Sequence, residues 1–286
     1  MNADQNTEQW TEIIVPRKSL FALDLKAVWR YRDLLTLLVR RDFIATYKQT
    51  ILGPLWFFIQ PVLTTIMFVI VFGRIAGIST DGVPMILFYL AGITTWNYFA
   101  DCLNKTATVF KDNASIFGKV YFPRLIMPLS IVSGNLIKFA IQFLLFLIIW
   151  LYYLLRPESN VHPNGHMALL PLLLLIMAGL ALGFGMLISA ATSKYKDLVF
   201  LLTFAVQLAM YATPVIYPLS VIGPEYKWLV QANPMTAVVE TFRFGFLGSG
   251  IMDRGGLLYS FLFTIFILVA GTIVFNKVEK SFIDTV

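Results

Sequence analysis

Residues 168–191 read ALLPLLLLIMAGLALGFGMLISAA. Ser189 is the only polar side chain among them, and none is charged. Wound as an α-helix the stretch is about 36 Å long, enough to cross the ~30 Å hydrocarbon core of a bilayer. It is apolar around its whole circumference and so has no face to turn toward water. Gly179 and Gly183 stand four apart in it, with Gly185 beside them. Small residues at that spacing let helix backbones approach closely, read here as packing within the subunit.

Five further apolar runs flank this one: Leu52–Phe72, Pro84–Leu103, Leu125–Leu155, Leu198–Tyr217 and Leu257–Phe275. Together they predict an all-α, polytopic membrane protein with six transmembrane helices. The run from Leu125 exceeds one bilayer thickness, so it either begins in the interface or tilts. Between Pro218 and Gly256 the chain is moderately apolar but broken by Pro218, Gly223, Pro224 and Pro234. Short re-entrant helices on the outer side, before the last span, are expected over 218–256, because irregular backbone at membrane depth must be covered by protein or line a wet cavity. Composition agrees: 58% of the 286 residues are hydrophobic and 13% charged, about half the share usual in soluble domains. The net charge of +6 does not indicate nucleic acid, since the basic residues lie between the apolar runs.

Two domains are expected, a cytosolic N-terminal region (1–50) and a transmembrane domain (51–286). Within the first, Leu20 to Tyr47 alternates apolar residues with Lys26, Arg30, Arg32, Arg40 and Arg41, the pattern of an amphipathic helix lying on the membrane surface; a soluble helical arm is the alternative. Met1 to Gln9 is polar with no short apolar core behind it, so the first spans are expected to act as insertion signals. Sixteen of the 22 Lys and Arg fall in the N-terminal region, the 104–124 and 192–197 connections and the tail; five fall in the other connections, and Lys138 lies inside the third run. This bias predicts both termini in the cytosol; the expected location is the cytoplasmic (inner) membrane of a bacterium. No repeat suggests the inverted halves of many secondary transporters.

The chemistry-bearing residues are few. Gly118-Lys119-Val120 lacks the earlier glycine and the hydroxyl of a phosphate-cradling loop, so the chain is not expected to hydrolyse ATP alone. His162 and His166 have Pro163 and Gly165 between them and no third ligand nearby, which argues against a metal site. Cys102 is single and reads as a small hydrophobe. No paired carboxylates lie deep in a span, and Asp101 reads as interfacial. Asn135, Lys138 and Gln142 share one helical face, either as a polar stripe toward a conduit or partner helix, or with Lys138 snorkelling to headgroups. The 104–124 loop carries Ile116, Phe117, Val120, Tyr121 and Phe122. A short amphipathic helix there would seat in a groove of a soluble partner or lie on the membrane.

Four stretches carry a resemblance covering roughly Leu34 to the C-terminus. They are Arg41-Asp42-Phe43 with Tyr47 to Trp56 and Gln60-Pro61; Asn113-Ala114 and Ile116 leading to Phe122-Pro123-Arg124; Tyr195-Lys196-Asp197 with Tyr211 to Pro218; and Ala232-Asn233-Pro234-Met235 with Phe242-Arg243 behind. In this order the chain resembles the permease subunits of ABC exporters of polysaccharides or polyol-phosphate polymers, the family that exports O-antigen, some capsules and teichoic acids. It departs from the family at Lys196-Asp197, where Arg-Asp is usual; the charge is kept and the bidentate fork lost.

The resemblance implies a homodimer of permeases above two copies of a separate ATP-binding subunit, which holds ATP and magnesium; no cofactor or metal is expected on this chain. It implies a coupling helix on that subunit with Asn113, Ile116, Phe117, Val120, Tyr121 and Phe122. The conduit would lie at the permease interface, lined by the first and fifth spans with Trp56, Phe57, Phe58, Tyr211 and Tyr217. Arg40 and Arg41 would meet the diphosphate of a polyprenyl carrier on the cytosolic side, and Pro214, Pro218, Asn233 and Pro234 would form an outer gate. The substrate would be a lipid-linked glycan. Rival readings are an exporter of small hydrophobic molecules on the same fold, an integral-membrane enzyme acting on lipid-linked sugar, and a membrane scaffold.

Overall fold

A computed structural model describes residues 29–48, 50–117, 122–156, 158–195 and 197–283. Among them the regular elements are all helical. Helix α1 is Arg32–Tyr47 and α2 is Trp56–Phe68, continued by a π-helical stretch Val69–Ile75. Then come α3 Met85–Ala107, the short α4 Val109–Asp112 and α5 Ala114–Phe117, and α6 Ile126–Leu154. After these follow α7 Leu170–Thr192, α8 Leu198–Ala212, α9 Pro224–Gln231, α10 Pro234–Leu247 and α11 Arg254–Ile283. The expected helix over Leu20 to Tyr47 is met from residue 29 onward; its earlier part lies outside the described residues.

Among the described residues four helical segments are long and apolar enough to cross a membrane: Gly53–Ile75, Ile126–Leu154, Gly165–Thr192 and Arg254–Val278. Helix α3 is long enough, at 23 residues, but carries Tyr89, Thr94, Thr95, Asn97 and Asp101 among its apolar residues. Helix α8 is apolar but has 15 residues, about 22 Å of rise. It stops at Ala212 for a local reason. Thr213 precedes Pro214, whose ring disfavours helical backbone in the residue before it, and Thr213 is extended with ψ 145°. The run to Tyr217 read from the sequence is therefore not one helix.

Packing centres on α3. Sixteen of its 23 residues are buried, against α7, α6, α10, α2 and α8. Helices α7 and α11 lie along each other because glycines remove the side chains between them. A Cβ on Gly183 would come within 2.7 Å of the backbone of Ile267. Gly271 faces the backbone of Gly183 in the same way, so the Gly179–Gly183 spacing serves packing within the subunit. Helix α10 is capped by Asn233, whose side chain accepts from Met235 N, and ends at Gly248 with φ 76°, a left-handed conformation that suits glycine. A second, smaller cluster gathers Leu38, Phe110, Phe122, Ile126, Met186 and Phe275 at the end of the bundle where α1 lies.

Candidate functional site

Two polar clusters interrupt this apolar body, one at each end. At the α1 end, Lys138 of α6 reaches Asp101 of α3 at 2.5 Å. Lys138 thus forms an interhelical ion pair, in keeping with a polar stripe turned toward a partner helix. One turn along α3, Lys105 donates to Asn135 Oδ1 at 3.2 Å, and Asn135 is almost fully buried. Gln142, the third residue of that face, is also buried. Between α1, α2, α3 and α6, Lys105, Asn135 and Lys138 border a cavity of about 250 Å³, lined also by Asp42, Phe43 and Phe57.

The loop expected to couple to a partner is tied to the same place. Arg41 holds Asp42 at 2.7 Å and donates to Asn113 Oδ1 at 3.3 Å. Asn113 in turn donates to Val109 O. Ile116 is half-buried and Phe122 buried, both against the smaller apolar cluster, so neither offers its full side chain to a partner. Val120, Tyr121 and the side chain of Phe117 lie outside the described residues. Arg40 is exposed while Arg41 is engaged.

At the opposite end, Arg243 of α10 is fully buried. It donates to Pro214 O at 2.5 Å and to Val215 O at 2.6 Å, and its guanidinium lies 3.7 Å from the Phe88 ring centroid. Glu240, one turn earlier, sits 3.6 Å from Arg243 and accepts from Ile251 N at 3.1 Å. The turn that ends α8 is therefore clamped by a charged, buried fork, and charge-assisted bonds of this kind are strong. Asn233 adds a second tie, donating from Nδ2 to Thr213 Oγ1 at 2.7 Å. Of the expected outer-gate residues, Pro214 accepts from Arg243, Asn233 ties to Thr213 with Pro234 following it at the start of α10, and Pro218 is buried. Arg243 and Glu240 were not among the expected site residues, although a charged pair three apart in an apolar helix was the available signal.

The aromatic residues expected along a conduit divide. Trp56 and Tyr211 are exposed and Phe58 is half-buried. Tyr217 is half-buried and donates to Tyr211 O. Phe57 is buried, 6.1 Å from Phe43 in a stacked pair and under Lys138. His166 bonds Asn164, and among the described residues no group of three potential metal ligands forms.

Comparison with known proteins places this arrangement. A profile described as "ABC-2 type transporter" matches residues 33–247. The O-antigen export system permease protein RfbA of Myxococcus xanthus is 26% identical over 264 residues, covering 92% of this chain and 98% of that protein. A protein of the same name from Klebsiella pneumoniae is 22% identical, covering 88% and 94%. The polysialic acid transport protein KpsM of Escherichia coli is 22% identical, covering 86% and 93%.

Proposed function

The chain belongs to the ABC-2 type transporter family, and from that premise we propose that it is the membrane-spanning subunit of an ATP-driven exporter of a lipid-linked polysaccharide. The observation that carries the substrate class is the near-full-length similarity to permeases named for O-antigen and polysialic acid. Six spans arise when α3 and α8 join the four apolar helices: α3 needs no apolar surface because protein surrounds it, and α8 is completed by the clamped turn 213–217. The α1 end then faces the cytosol with both termini, and 218–256, with α9 and α10, re-enters from the outer side.

A homodimer would close the conduit between the exposed faces of α2 and α8. Trp56 and Tyr211 are its best-placed aromatics, sugars being held by stacking and exchangeable hydrogen bonds. Two copies of an ATP-binding subunit, carrying ATP and magnesium, would sit beneath the 104–124 loop. Strokes of that subunit reach α1 through Asn113 and Arg41. Arg40, exposed beside them, would meet an approaching carrier diphosphate first. In a strain lacking the chain, surface glycan should vanish and lipid-linked glycan accumulate inside. Unchanged surface glycan, with loss of resistance to a hydrophobic toxin instead, would transfer the chain to the small-molecule reading.

A further inference from the structure

The cavity behind α1 has a composition that the exporter reading leaves unused. Lys105 and Lys138 both border it, and each ammonium has three donors. In the structure Lys105 uses one on Asn135 and Lys138 uses one on Asp101. Asp42, the carboxylate on the opposite wall, is taken up by Arg41. Two lysines therefore border the cavity, while Asp42 in its wall is paired with Arg41 and Asp101, outside the lining, pairs with Lys138 alone. Helix α6 has 29 residues, about 43 Å, which exceeds the hydrocarbon by about 13 Å. Ile131 lies about 7.5 Å and Lys138 about 18 Å from its start, so with the excess on the α1 side the cavity runs from headgroup level at Ile131 to about 5 Å inside the hydrocarbon, where Lys138 stands over Phe57.

We propose that this cavity is a binding site for the phosphate or diphosphate of an anionic amphiphile, gripped by Lys105 and Lys138, and that Asp101 is the internal anion the ligand displaces. About 250 Å³ accommodates a headgroup but not a sugar chain. Asp42 is both a wall of the cavity and the neighbour of Arg41, which bonds Asn113, so occupancy is felt at the coupling loop without a long path. The inference rests on the exporter reading only for the source of the amphiphile. A polyprenyl carrier and a bulk anionic phospholipid share the chemistry, and the experiment separates them.

The full-length chain in phosphatidylcholine nanodiscs is titrated with farnesyl diphosphate, with farnesol as the neutral control. Wild type should bind the diphosphate at least tenfold tighter than farnesol. Lys105→Gln, an exposed position whose loss does not threaten the fold, should weaken binding about tenfold, the size of one charged hydrogen bond. Asp101→Asn should tighten it severalfold, a gain that misfolding does not produce. Competition by phosphatidylglycerol that is lost in Lys105→Gln assigns the site to bulk lipid; its absence assigns the site to the carrier. Equal affinity for farnesol, or an unchanged affinity in Lys105→Gln/Lys138→Gln, overturns the site. Export that survives in that double variant counts against the site and leaves the exporter intact. Lysine-dependent binding in a chain that supports no glycan export has the converse meaning.

Discussion

Helices α3 and α8 invert the rule learned from soluble proteins. Helix α3 carries the polar residues Thr94, Thr95 and Asn97, and it is more enclosed than the other long helices α6 and α7. Helix α8 is almost wholly apolar and buries only Leu202 and Val206, leaving Phe200, Leu201, Phe204 and Leu208 exposed. In lipid there is no hydrophobic gain on bringing two apolar surfaces together, so greasiness does not select the centre. Polar groups do, because their alternative is hydrocarbon. Thr95 satisfies its hydroxyl on Ala91 O and Gly92 O of its own helix, and Asp101 finds Lys138 on a neighbour. Helix α2 sides with α8: Phe57, Pro61 and Thr65 form one thin buried stripe while Leu63, Ile66 and Met67 face outward. Two helices are thus held lightly against a tightly packed column, an arrangement that suits the moving conduit wall proposed above.

The sharpest way to break that contrast is at the clamp joining column and wall. Arg243→Ala removes the cation from Glu240 and the donors from Pro214 O and Val215 O. Losing one partner of a buried pair should cost about 3–5 kcal/mol, read as a large fall in the detergent unfolding midpoint and new protease cleavage near 213–217. Arg243→Lys keeps the charge but not the fork and should fall between. A midpoint within a degree of wild type for Arg243→Ala would show that the turn holds α8 without it.

Within the column, Gly183→Val tests how close the backbones lie. A Cβ there would meet Ile267 carbonyl carbon at 2.7 Å, backbone that cannot rotate away, and overpacking of this kind should destabilise by about 1–3 kcal/mol. The same substitution at Gly134, where nothing lies within 4 Å, should be mild. Equal effects at the two glycines would mean that α7 and α11 are not in backbone contact.

A smaller effect is expected at Asp101–Lys138, whose side chains are 31% and 21% exposed. Asp101→Asn alone should cost about 1–2 kcal/mol, between the values for surface and buried pairs. Adding Lys138→Gln should recover part of it, since the double variant leaves no unpaired charge. A double-mutant cycle on unfolding midpoints reads this directly, and strictly additive losses would deny the pair.

These cases also mark what the sequence made legible. Long apolar runs announced the membrane and the helical class, because a 20-residue stretch without charge has no other stable home. The Gly179–Gly183 spacing announced close packing, because it is a local pattern. Asn135, Lys138 and Gln142 were visible as a face, but nothing in α6 alone says that Asp101 stands opposite; pairing is settled by how two helices are set side by side, which no periodicity encodes. Arg243 was visible inside a motif, yet its ligands are carbonyl oxygens of Pro214 and Val215, and backbone atoms leave no mark in a sequence. The end of α8 at Ala212 was readable from Thr213-Pro214, and hydropathy, which scores proline and tyrosine without regard to helix geometry, extended the run past it.

The mildest substitution separates the two regions most cleanly. Phe204 is exposed on α8, so Phe204→Ala deletes a ring that touches lipid in a single subunit, and stability of the folded chain should change by no more than about 0.5 kcal/mol. A loss above 2 kcal/mol in dilute nanodiscs holding one chain each would mean that α8 is packed in the isolated subunit, and the division between column and wall would fail. If two copies meet across α2 and α8, the same ring becomes interfacial, and its removal should weaken association rather than folding. Measuring unfolding at one chain per disc and dimer fraction at rising protein-to-lipid ratio keeps the two apart. A flat midpoint with a dimer curve shifted several-fold to higher ratio is the outcome that a loosely held wall, completed by a second copy, requires.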